Sequence, residues 1–382
     1  MATEFLHWFI FFTAISGLLY LILIAMYTYG WYFIQEPENH EQRHQQTMVS
    51  VLVAARNEAD RITALLDALR KQRYPLSLVE VIIADDHSSD NTIALINAFA
   101  AENPSPSLRV ISATAKGKKA ALGAALLLAN GDILLFTDAD CLPAPGWIAE
   151  MTARLSTGEQ KMILGPVMLD PARSLFEKLQ SLEFMSLIGS TAGACATGSP
   201  LMGNGASLAV TRKALEEVST SAMNSAYASG DDVFLMFAFV KKFGRKAIGF
   251  ARSAEAIVRS RPKPDLGGFI QQRLRWVSKS KGYTHPLIIF PALIVLLFNL
   301  ALFGTMIMAF FLPPLWLVYA LLIGFKFFVD YPLLLATARL MQQKSLLRLV
   351  LPLACVYPVY VSLIAVAGFV LPFSWKNRSY SS

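Results

Sequence analysis

The chain alternates between long apolar stretches and a globular pattern of apolar and polar positions. Residues 5–34 and 287–372 are nearly free of charge, whereas residues 35–286 have an ordinary globular composition. An apolar run of about 20 residues is long enough to cross a bilayer as a helix. The pattern therefore predicts a globular domain between membrane-spanning segments.

We predict four divisions: a transmembrane helix at 1–34, a polar linker at 35–47, a globular domain at 48–286 and a membrane region at 287–382. The C-terminal spans are predicted near 287–311, 314–336 and 349–372. The start of the chain carries Glu4, no Lys or Arg, and no small-residue cleavage site, which favours a retained helix over a signal peptide.

Inside the globular domain, short apolar runs alternate with helical spacing. The predicted strands are 48–55, 79–84, 108–111, 133–137 and 162–167, and the predicted helices between them are 59–72, 91–101 and 118–129. Strands alternating with helices of this length predict an α/β fold with a mainly parallel sheet. Ligands bind beyond the carboxyl ends of the strands in such sheets.

One segment, 174–202, has a loose amphipathic face followed by small residues. Two interpretations stay open for it, a helix packed in the core and an interfacial helix at the bilayer.

The charge distribution disfavours nucleic acid and favours a membrane surface. The net charge is +7, but the basic residues form separate groups, one of which spans 259–281 just before an apolar stretch. Basic residues beside a span favour the cytoplasmic side, as do those of the loop at 339–348. This places the globular domain in the cytoplasm. It leaves the basic residues near 376–378 outside, against the tendency of basic residues to face the cytoplasm, so either one span is re-entrant or the tail is an exception to that tendency. The three cysteines lack metal-ligand spacing and suit free thiols in a reducing compartment.

Two acidic clusters follow predicted strands. Asp138 and Asp140 stand two residues apart after 133–137, where two carboxylates can hold Mg²⁺ or Mn²⁺ together with a diphosphate. Asp85 and Asp86 follow 79–84, where a carboxylate can accept hydrogen bonds from a nucleotide base and ribose. Asp90 suits the N-cap of the next helix, which leaves Asp85 and Asp86 without a predicted structural role.

A third acidic pair and a basic run open other helices. Asp231 and Asp232 after Gly230 are either helix-start residues favoured by the macrodipole or the general base for an acceptor hydroxyl. The run at 116–119, which includes Lys118, is either an anion site at a helix N-terminus or a solvated charged segment.

A last cluster combines basic, amide and aromatic side chains on one predicted helix. Gln272, Arg273 and Trp276 share a face by their i,i+3 and i,i+4 spacing, with Arg275 beside them. Arginine there can neutralise a departing diphosphate, and the alternative is a juxtamembrane belt of Arg and Trp.

Together these motifs resemble the family 2 glycosyltransferases with the GT-A fold, in particular the membrane-embedded branch that includes ceramide glucosyltransferases and the Nod-factor and hyaluronan-type synthases. The resembling motifs run from residue 49 to 282: Ala55-Arg56-Asn57-Glu58, Asp85-Asp86-x-Ser88-x-Asp90, Gly117-Lys118-x-x-Ala121-Leu122, Asp138-x-Asp140, Gly230-Asp231-Asp232 and Gln272-x-x-Arg275-Trp276.

The resemblance implies inverting transfer of a hexose from a UDP-sugar with Mg²⁺ or Mn²⁺. By position, it assigns uridine binding to Asp85 or Asp86 with Ala55 and Glu58, and the ribose or phosphate to Asp138. It assigns the metal to Asp140 with Asp138, the base to Asp232 beside Asp231, and the diphosphate and acceptor to Gln272, Arg275 and Trp276.

Three functions follow as hypotheses. The first is transfer to a membrane lipid at the cytoplasmic face of the inner membrane by a multi-pass enzyme, and the second is a short processive synthase with a glycan acceptor. Processive members usually carry Thr-Glu-Asp where this chain has Gly230-Asp231-Asp232, and three C-terminal spans are fewer than large secreting synthases have. The third is a non-catalytic nucleotide-binding scaffold, which predicts a degenerate acidic cluster, whereas all are present.

Overall fold

The computed structural model describes residues 2–34, 47–156, 158–218, 231–278, 282–283, 285–371, 373–375 and 378–380. Most of the predicted linker, 35–46, and Gly230 lie outside these residues. The helices are α1 (Ala2–Tyr32), α2 (Ile62–Arg70), α3 (Thr92–Glu102), α4 (Lys118–Leu128), α5 (Trp147–Leu155), α6 (Leu175–Ala196), α7 (Arg212–Glu217), α8 (Asp231–Phe243), α9 (Leu266–Ser278), α10 (Pro286–Phe311), α11 (Leu315–Leu340) and α12 (Val350–Val370).

The strands are short and concentrated in the middle of the chain. They are β1 (Val49–Ala55), β2 (Val79–Asp85), β3 (Ser107–Ser112), β4 (Ile133–Asp138), β5 (Leu142–Pro143), β6 (Met162–Leu164), β7 (Val167–Leu169), β8 (Leu208–Thr211), β9 (Ile248–Phe250), β10 (Val258–Ser260), β11 (Phe373–Trp375) and β12 (Arg378–Tyr380).

The chain divides into two compact units, each built from separate segments. The sheet unit comprises Ile34–Pro171 and Met202–Arg261, and the helical unit comprises Met1–Phe33, Ala172–Leu201 and Pro262–Ser382. These divisions differ from the predicted boundaries at 47/48 and 286/287, because 172–201 and 262–286 group with the apolar helices. The predicted division of the chain by function stays a prediction.

The sheet unit contains a seven-stranded sheet in the order β3-β2-β1-β4-β8-β6-β9. The four strands β3, β2, β1 and β4 are mutually parallel, β8 is antiparallel to both neighbours, and β9 is parallel to β6. The predicted α/β fold with a mainly parallel sheet is confirmed. Central strands β1 and β2 are buried almost along their whole length, because their residues are nearly all apolar.

One predicted strand is wrong as a single element. The run 162–167 forms the separate strands β6 and β7, which belong to different sheets, since β7 pairs with β10 in a sheet ordered β5-β10-β7. The break falls at Gly165 and Pro166. Proline has no backbone N–H for a ladder, and a Cβ at Gly165 would overlap the Ser207 side chain.

Among the described residues, the helical unit contains four helices that are long and apolar enough to cross a membrane: Leu6–Tyr32, Pro286–Phe311, Leu315–Leu340 and Lys344–Gly368. Helix α6 belongs to the same unit and packs against α1 and α11. Its small residues allow this, because a Cβ at Gly193 would overlap the Tyr27 carbonyl and one at Gly189 would overlap Thr337. The segment 174–202 thus contributes a packed helix within this unit.

Candidate active site

The carboxyl ends of the parallel strands bring the first two acidic clusters to one edge of the sheet. In the strand register, Ala55 at the end of β1 pairs with Asp85 at the end of β2, and Ala54 pairs with Asp138 at the end of β4. The two acids therefore lie on either side of the same central strand. The convergence predicted from topology is present.

The acidic pair after β4 is compact and has basic neighbours. Ligand atoms of Asp138, Asp140 and Cys141 all lie within 4.8 Å of one another. The Lys118 ammonium forms an ion pair with Asp138 Oδ1, and Arg61 Nη1 lies 3.2 Å from Asp140 Oδ2. Burial, together with Asp140 and Asp138, raises the pKa of Cys141 well above its ordinary value, so its thiol keeps its proton. The site therefore offers two carboxylates and two cations.

Asp85 and Asp86 are buried and hold the loops around the strand ends. Both Asp85 carboxylate oxygens accept from the Ser88 backbone N–H (3.1 and 3.3 Å), and Asp86 Oδ1 accepts from the Gly117 N–H (2.8 Å). The inference that these two acids have no structural role is wrong. Gly117 has a φ of 112°, which glycine adopts without strain, and it leads directly into α4 at Lys118.

The loop after β1 is tied to the start of α3. The N-cap of α3 is Asn91 rather than Asp90 as predicted, but Asp90 accepts from the Thr92 N–H (3.0 Å) at the start of the helix, and its other oxygen accepts from the Ala59 N–H (3.1 Å). The Glu58 N–H donates to Thr92 Oγ1 (2.8 Å), and the Ala55 carbonyl accepts from Asp86 N–H (2.8 Å). Ala55 and Glu58 are therefore held at the same edge through their backbones.

Asp232 belongs to this edge as well. Its Oδ2 accepts from the Gly205 N–H (2.9 Å) and its Oδ1 from the Val233 N–H (2.9 Å). Lys118 Nζ and Asp232 Oδ2 lie 3.5 and 3.8 Å from the position that a Cβ on Gly205 would take. The second acid of the pair thus shares a neighbourhood with the Lys118–Asp138 ion pair. Asp231 begins α8, and its side chain lies outside the described part of the chain.

The fourth cluster lies on α9 in the helical unit, where Arg273 has an unexpected position. Its guanidinium is buried and pairs with Glu183 of α6, and Nε donates to Tyr360 Oη (2.9 Å). Burial by itself disfavours this charge, but Glu183 and Tyr360 together raise the pKa of Arg273 above its ordinary value. We expected Arg273 to bind substrate; instead its N–H groups serve partners within the unit. Gln272 and Trp276 are half-buried beside it.

Residues 50–219 match the family model described as Glycosyl transferase family 2. The match spans the sheet edge from β1 to β8, including Asp85, Lys118, Asp138 and Asp140. This segment is a family 2 glycosyltransferase domain. The match ends before Asp232 and α9, so the roles predicted for those residues rest on their motifs.

One solved structure, with a TM-score above 0.5, supports the fold of this glycosyltransferase. The mannosyltransferase PcManGT from Pyrobaculum calidifontis, in complex with GDP-Man and Mn²⁺, aligns over 94% of this chain and 99% of its own, with 19% identity and a TM-score of 0.57. Glucosyl-3-phosphoglycerate synthase from Mycobacterium tuberculosis aligns over 66% and 86% (20% identity, TM-score 0.43), and S. aureus TarS 1–349 over 84% and 90% (15%, 0.43). No curated protein sequence matches the chain significantly.

Sequence reasoning missed three contributors around the predicted glycosyltransferase residues. Arg61 contacts Asp140, Gly205 binds Asp232, and Glu183 pairs with Arg273. The turn-forming Gly203-Asn204-Gly205 sequence was a signal for a close backbone approach. Arg61 and Glu183 had no local signal, because each meets its partner across a long sequence separation.

Proposed function

We propose that this glycosyltransferase moves a hexose from a UDP-sugar, with inversion, to the hydroxyl of a membrane lipid at the cytoplasmic face of the inner membrane. The observation that carries the proposal is the convergence of Asp138, Asp140, Lys118 and Asp232 at one sheet edge. An acidic pair, a phosphate-binding cation and a separate carboxylate are the groups that such a transfer needs.

The donor is the first part of the proposal. Asp85 and Asp86 each accept backbone hydrogen bonds, and a carboxylate has further acceptor positions for the uracil N–H and a ribose hydroxyl. Ala55 and Glu58 line the same edge. Lys118, at the start of α4, carries a positive charge where a helix N-terminus also favours phosphate.

A divalent cation fits the residues at this edge. Asp138 and Asp140 supply hard carboxylate oxygens close enough to share one ion, which suits Mg²⁺ or Mn²⁺. Cys141 lies beside the two carboxylates, and burial raises the pKa of its thiol. When bound, the ion would neutralise charge on the diphosphate, with Asp140 and Asp138 holding it.

Asp232 is our candidate for the general base. Both of its oxygens are oriented by backbone N–H groups, from Gly205 and Val233, which holds the carboxylate still while leaving acceptor capacity. A base on one side of the sugar and a leaving group on the other are enough for inversion without a covalent intermediate. Asp231 is retained as a second candidate by its place in the motif.

We assign Gln272, Arg275 and Trp276 to the diphosphate and the acceptor. The support is their motif on α9 and the chemistry of the side chains: guanidinium for phosphate, indole for an acceptor. Arg273, which its spacing places in the same group, is bonded to Glu183 and Tyr360.

A lipid acceptor is favoured by the membrane helices. In the part of the chain that the structure describes, four helices are long and apolar enough to span a membrane, and α9 belongs to the same unit as they do. The basic residues from 259 to 281 favour the cytoplasmic leaflet for this region. The processive alternative, with a growing glycan as acceptor, is kept as an outcome of the test below.

The test uses the full-length protein in nanodiscs of inner-membrane lipids. Labelled UDP-glucose, UDP-galactose, UDP-N-acetylglucosamine and GDP-mannose are supplied with Mn²⁺, Mg²⁺ or chelator. We expect metal-dependent transfer of one hexose from a UDP-sugar into the lipid fraction. Asp140→Asn should abolish this transfer, whereas Asp67→Asn, on the exposed surface of α2, should not.

Three outcomes would contradict the proposal. A preference for GDP-mannose would overturn the choice of nucleotide. A polymer made without lipid acceptor would replace the lipid transferase by the processive synthase. UDP-sugar binding without any transfer or metal dependence would favour the non-catalytic scaffold.

A further inference from the structure

Arg273 joins three helices of the helical unit at one point. Its Nη2 pairs with Glu183 on α6, its Nε donates to Tyr360 on α12 (2.9 Å), and its Nη1 donates to the neighbouring Gln272 (3.2 Å) on α9 itself. The guanidinium also lies over the rings of Phe269 and Trp276, 4.6 and 4.2 Å from their centroids. All three donor-bearing nitrogens are engaged.

A second contact sets the rotation of α9 on α12. Val277 lies one turn beyond Arg273 on α9, and it packs so closely on Gly368 that a Cβ there would overlap the Val277 side chain. The Phe269 ring, one turn before Arg273, packs on the Tyr360 ring at 5.5 Å. Contacts at three successive turns of α9 restrict both its rotation and its sliding along α12.

Two of the residues that we assign to substrate binding contact Arg273 directly. Gln272 accepts a hydrogen bond from the Arg273 guanidinium, which lies over the Trp276 ring. The Trp276 ring also packs against Phe184 of α6, with 6.0 Å between the ring centroids. Arg275 lies two residues after Arg273 on the same helix. The position of these groups therefore depends on a side chain that is itself buried.

We infer that Arg273 is a positioning residue that holds α9, through Glu183 and Tyr360, in the orientation in which Gln272, Arg275 and Trp276 act on substrate. The inference rests on the function proposed for α9. A guanidinium suits this role because its planar fork donates in three directions at once and stacks on an aromatic face. A lysine ammonium at the same place provides the charge without the fork.

Catalysis distinguishes positioning from simple structural support. If α9 presents groups that bind the departing diphosphate more strongly in the transition state, a misplaced α9 lowers kcat and leaves the donor KM nearly unchanged. A loss of folded protein instead lowers the amount of active enzyme and is removed by normalising to folded protein.

The first variant is Tyr360→Phe, which removes one hydroxyl and keeps the ring that packs on Phe269. With folded protein quantified by size-exclusion chromatography in nanodiscs, we expect kcat to fall about threefold to tenfold while the donor KM stays within about twofold. The matched control is Tyr319→Phe, since that hydroxyl donates to the Cys355 carbonyl of α12 (3.3 Å) rather than bonding to Arg273. It should retain wild-type kcat.

The decisive measurement is a double-mutant cycle in the full-length protein. Arg273→Lys is combined with Arg275→Ala, and Tyr360→Phe with Arg275→Ala in case the lysine variant does not fold. If Arg273 acts through Arg275, the kcat of each combined variant is lower than that of Arg275→Ala by no more than about twofold.

Each other outcome overturns a defined statement. If Arg275→Ala lowers kcat and the combined variant lowers it by the product of the two single effects, Arg273 is only a structural support. The function proposed for α9 would then still stand. Wild-type transfer by Arg275→Ala would contradict the proposed function of α9 itself, and the inference would fall with it. An unchanged kcat in Tyr360→Phe would remove the α12 part of the arrangement.

Discussion

The Lys118 ammonium is bonded to the Asp138 carboxylate, so the first acid of the Asp138–Asp140 pair already has a cation beside it. Arg61 stands in the same relation to Asp140. A divalent ion that shares these oxygens competes with both basic side chains. A nucleoside diphosphate arriving with the ion gives Lys118 a new partner, which makes binding of metal and donor mutually supportive.

Replacing Lys118 by methionine should therefore separate metal binding from donor binding. We expect Mn²⁺ affinity without nucleotide to rise by up to about fivefold, the range for a partly exposed ion pair, and UDP affinity with Mn²⁺ to fall. Isothermal titration of the full-length protein measures both. Lys71→Met, which removes a surface pair with Asp67, serves as the control. Weaker Mn²⁺ binding by Lys118→Met would contradict the competition.

Asp232→Asn should lower kcat by roughly 10²–10⁴-fold, because the amide cannot take a proton from the acceptor hydroxyl. An asparagine Oδ1 can still accept from Gly205, so the loop should hold its position and the donor KM should change little. Steady-state kinetics with the preferred donor give both values. Glu255→Gln, which replaces an exposed carboxylate that pairs with Arg73, is the control. A rate within about tenfold of wild type would exclude Asp232 as the base.

Glu80 should make stability depend on pH. It is buried at the start of β2, where burial by itself raises its pKa, but hydrogen bonds from Ser50 and Asn130 and the ion pair with Arg109 together hold the pKa below its ordinary value. A lowered folded-state pKa means that this stabilisation is complete above the ordinary glutamate pKa, about 4.3. It is lost as pH falls through the folded-state pKa.

Thermal unfolding of Glu80→Gln compared with wild type tests this. Hydrogen bonds to a charged group are worth about 1.5–3 kcal/mol, so the variant should have a lower Tm at pH 7. The difference should shrink as the pH falls below about 4. Glu216→Gln, at an exposed position on α7, should not change the Tm at either pH. A difference that grows on acidification would refute the assignment.

Gly193 should tolerate no side chain. A Cβ there overlaps the Tyr27 carbonyl of α1, so Gly193→Ala forces α1 and α6 apart and should cost about 1–3 kcal/mol. Gly324→Ala on α11 is the matched control, because nothing lies within 4 Å of its added Cβ. It should be neutral or slightly stabilising. Equal melting temperatures for the two variants would show that the α1–α6 contact is not close-packed.

Most of the elements that frame the site were predictable from local pattern. The runs 48–55, 79–84 and 133–137 coincide with β1, β2 and β4 to within one residue at each end, and 118–129 coincides with α4. Continuous apolar runs are typical of parallel strands buried on both faces. The run 162–167 was predicted wrongly as one strand, because the apolar pattern of a short segment does not indicate which sheet each half joins.

The sequence by itself determined which segments are apolar enough to span a membrane, and that Asp85 and Asp138 end parallel strands. Both depend on periodicity and run length, which are local. Only the tertiary structure decided the partners: Gly205 for Asp232, 27 residues away, and Glu183 for Arg273, 90 residues away. The i,i+3 and i,i+4 spacing on α9 indicated a shared face for Gln272, Arg273 and Trp276. It did not indicate that Arg273 is buried on this face by partners on α6 and α12, because burial of a helix residue depends on which other helices pack against it.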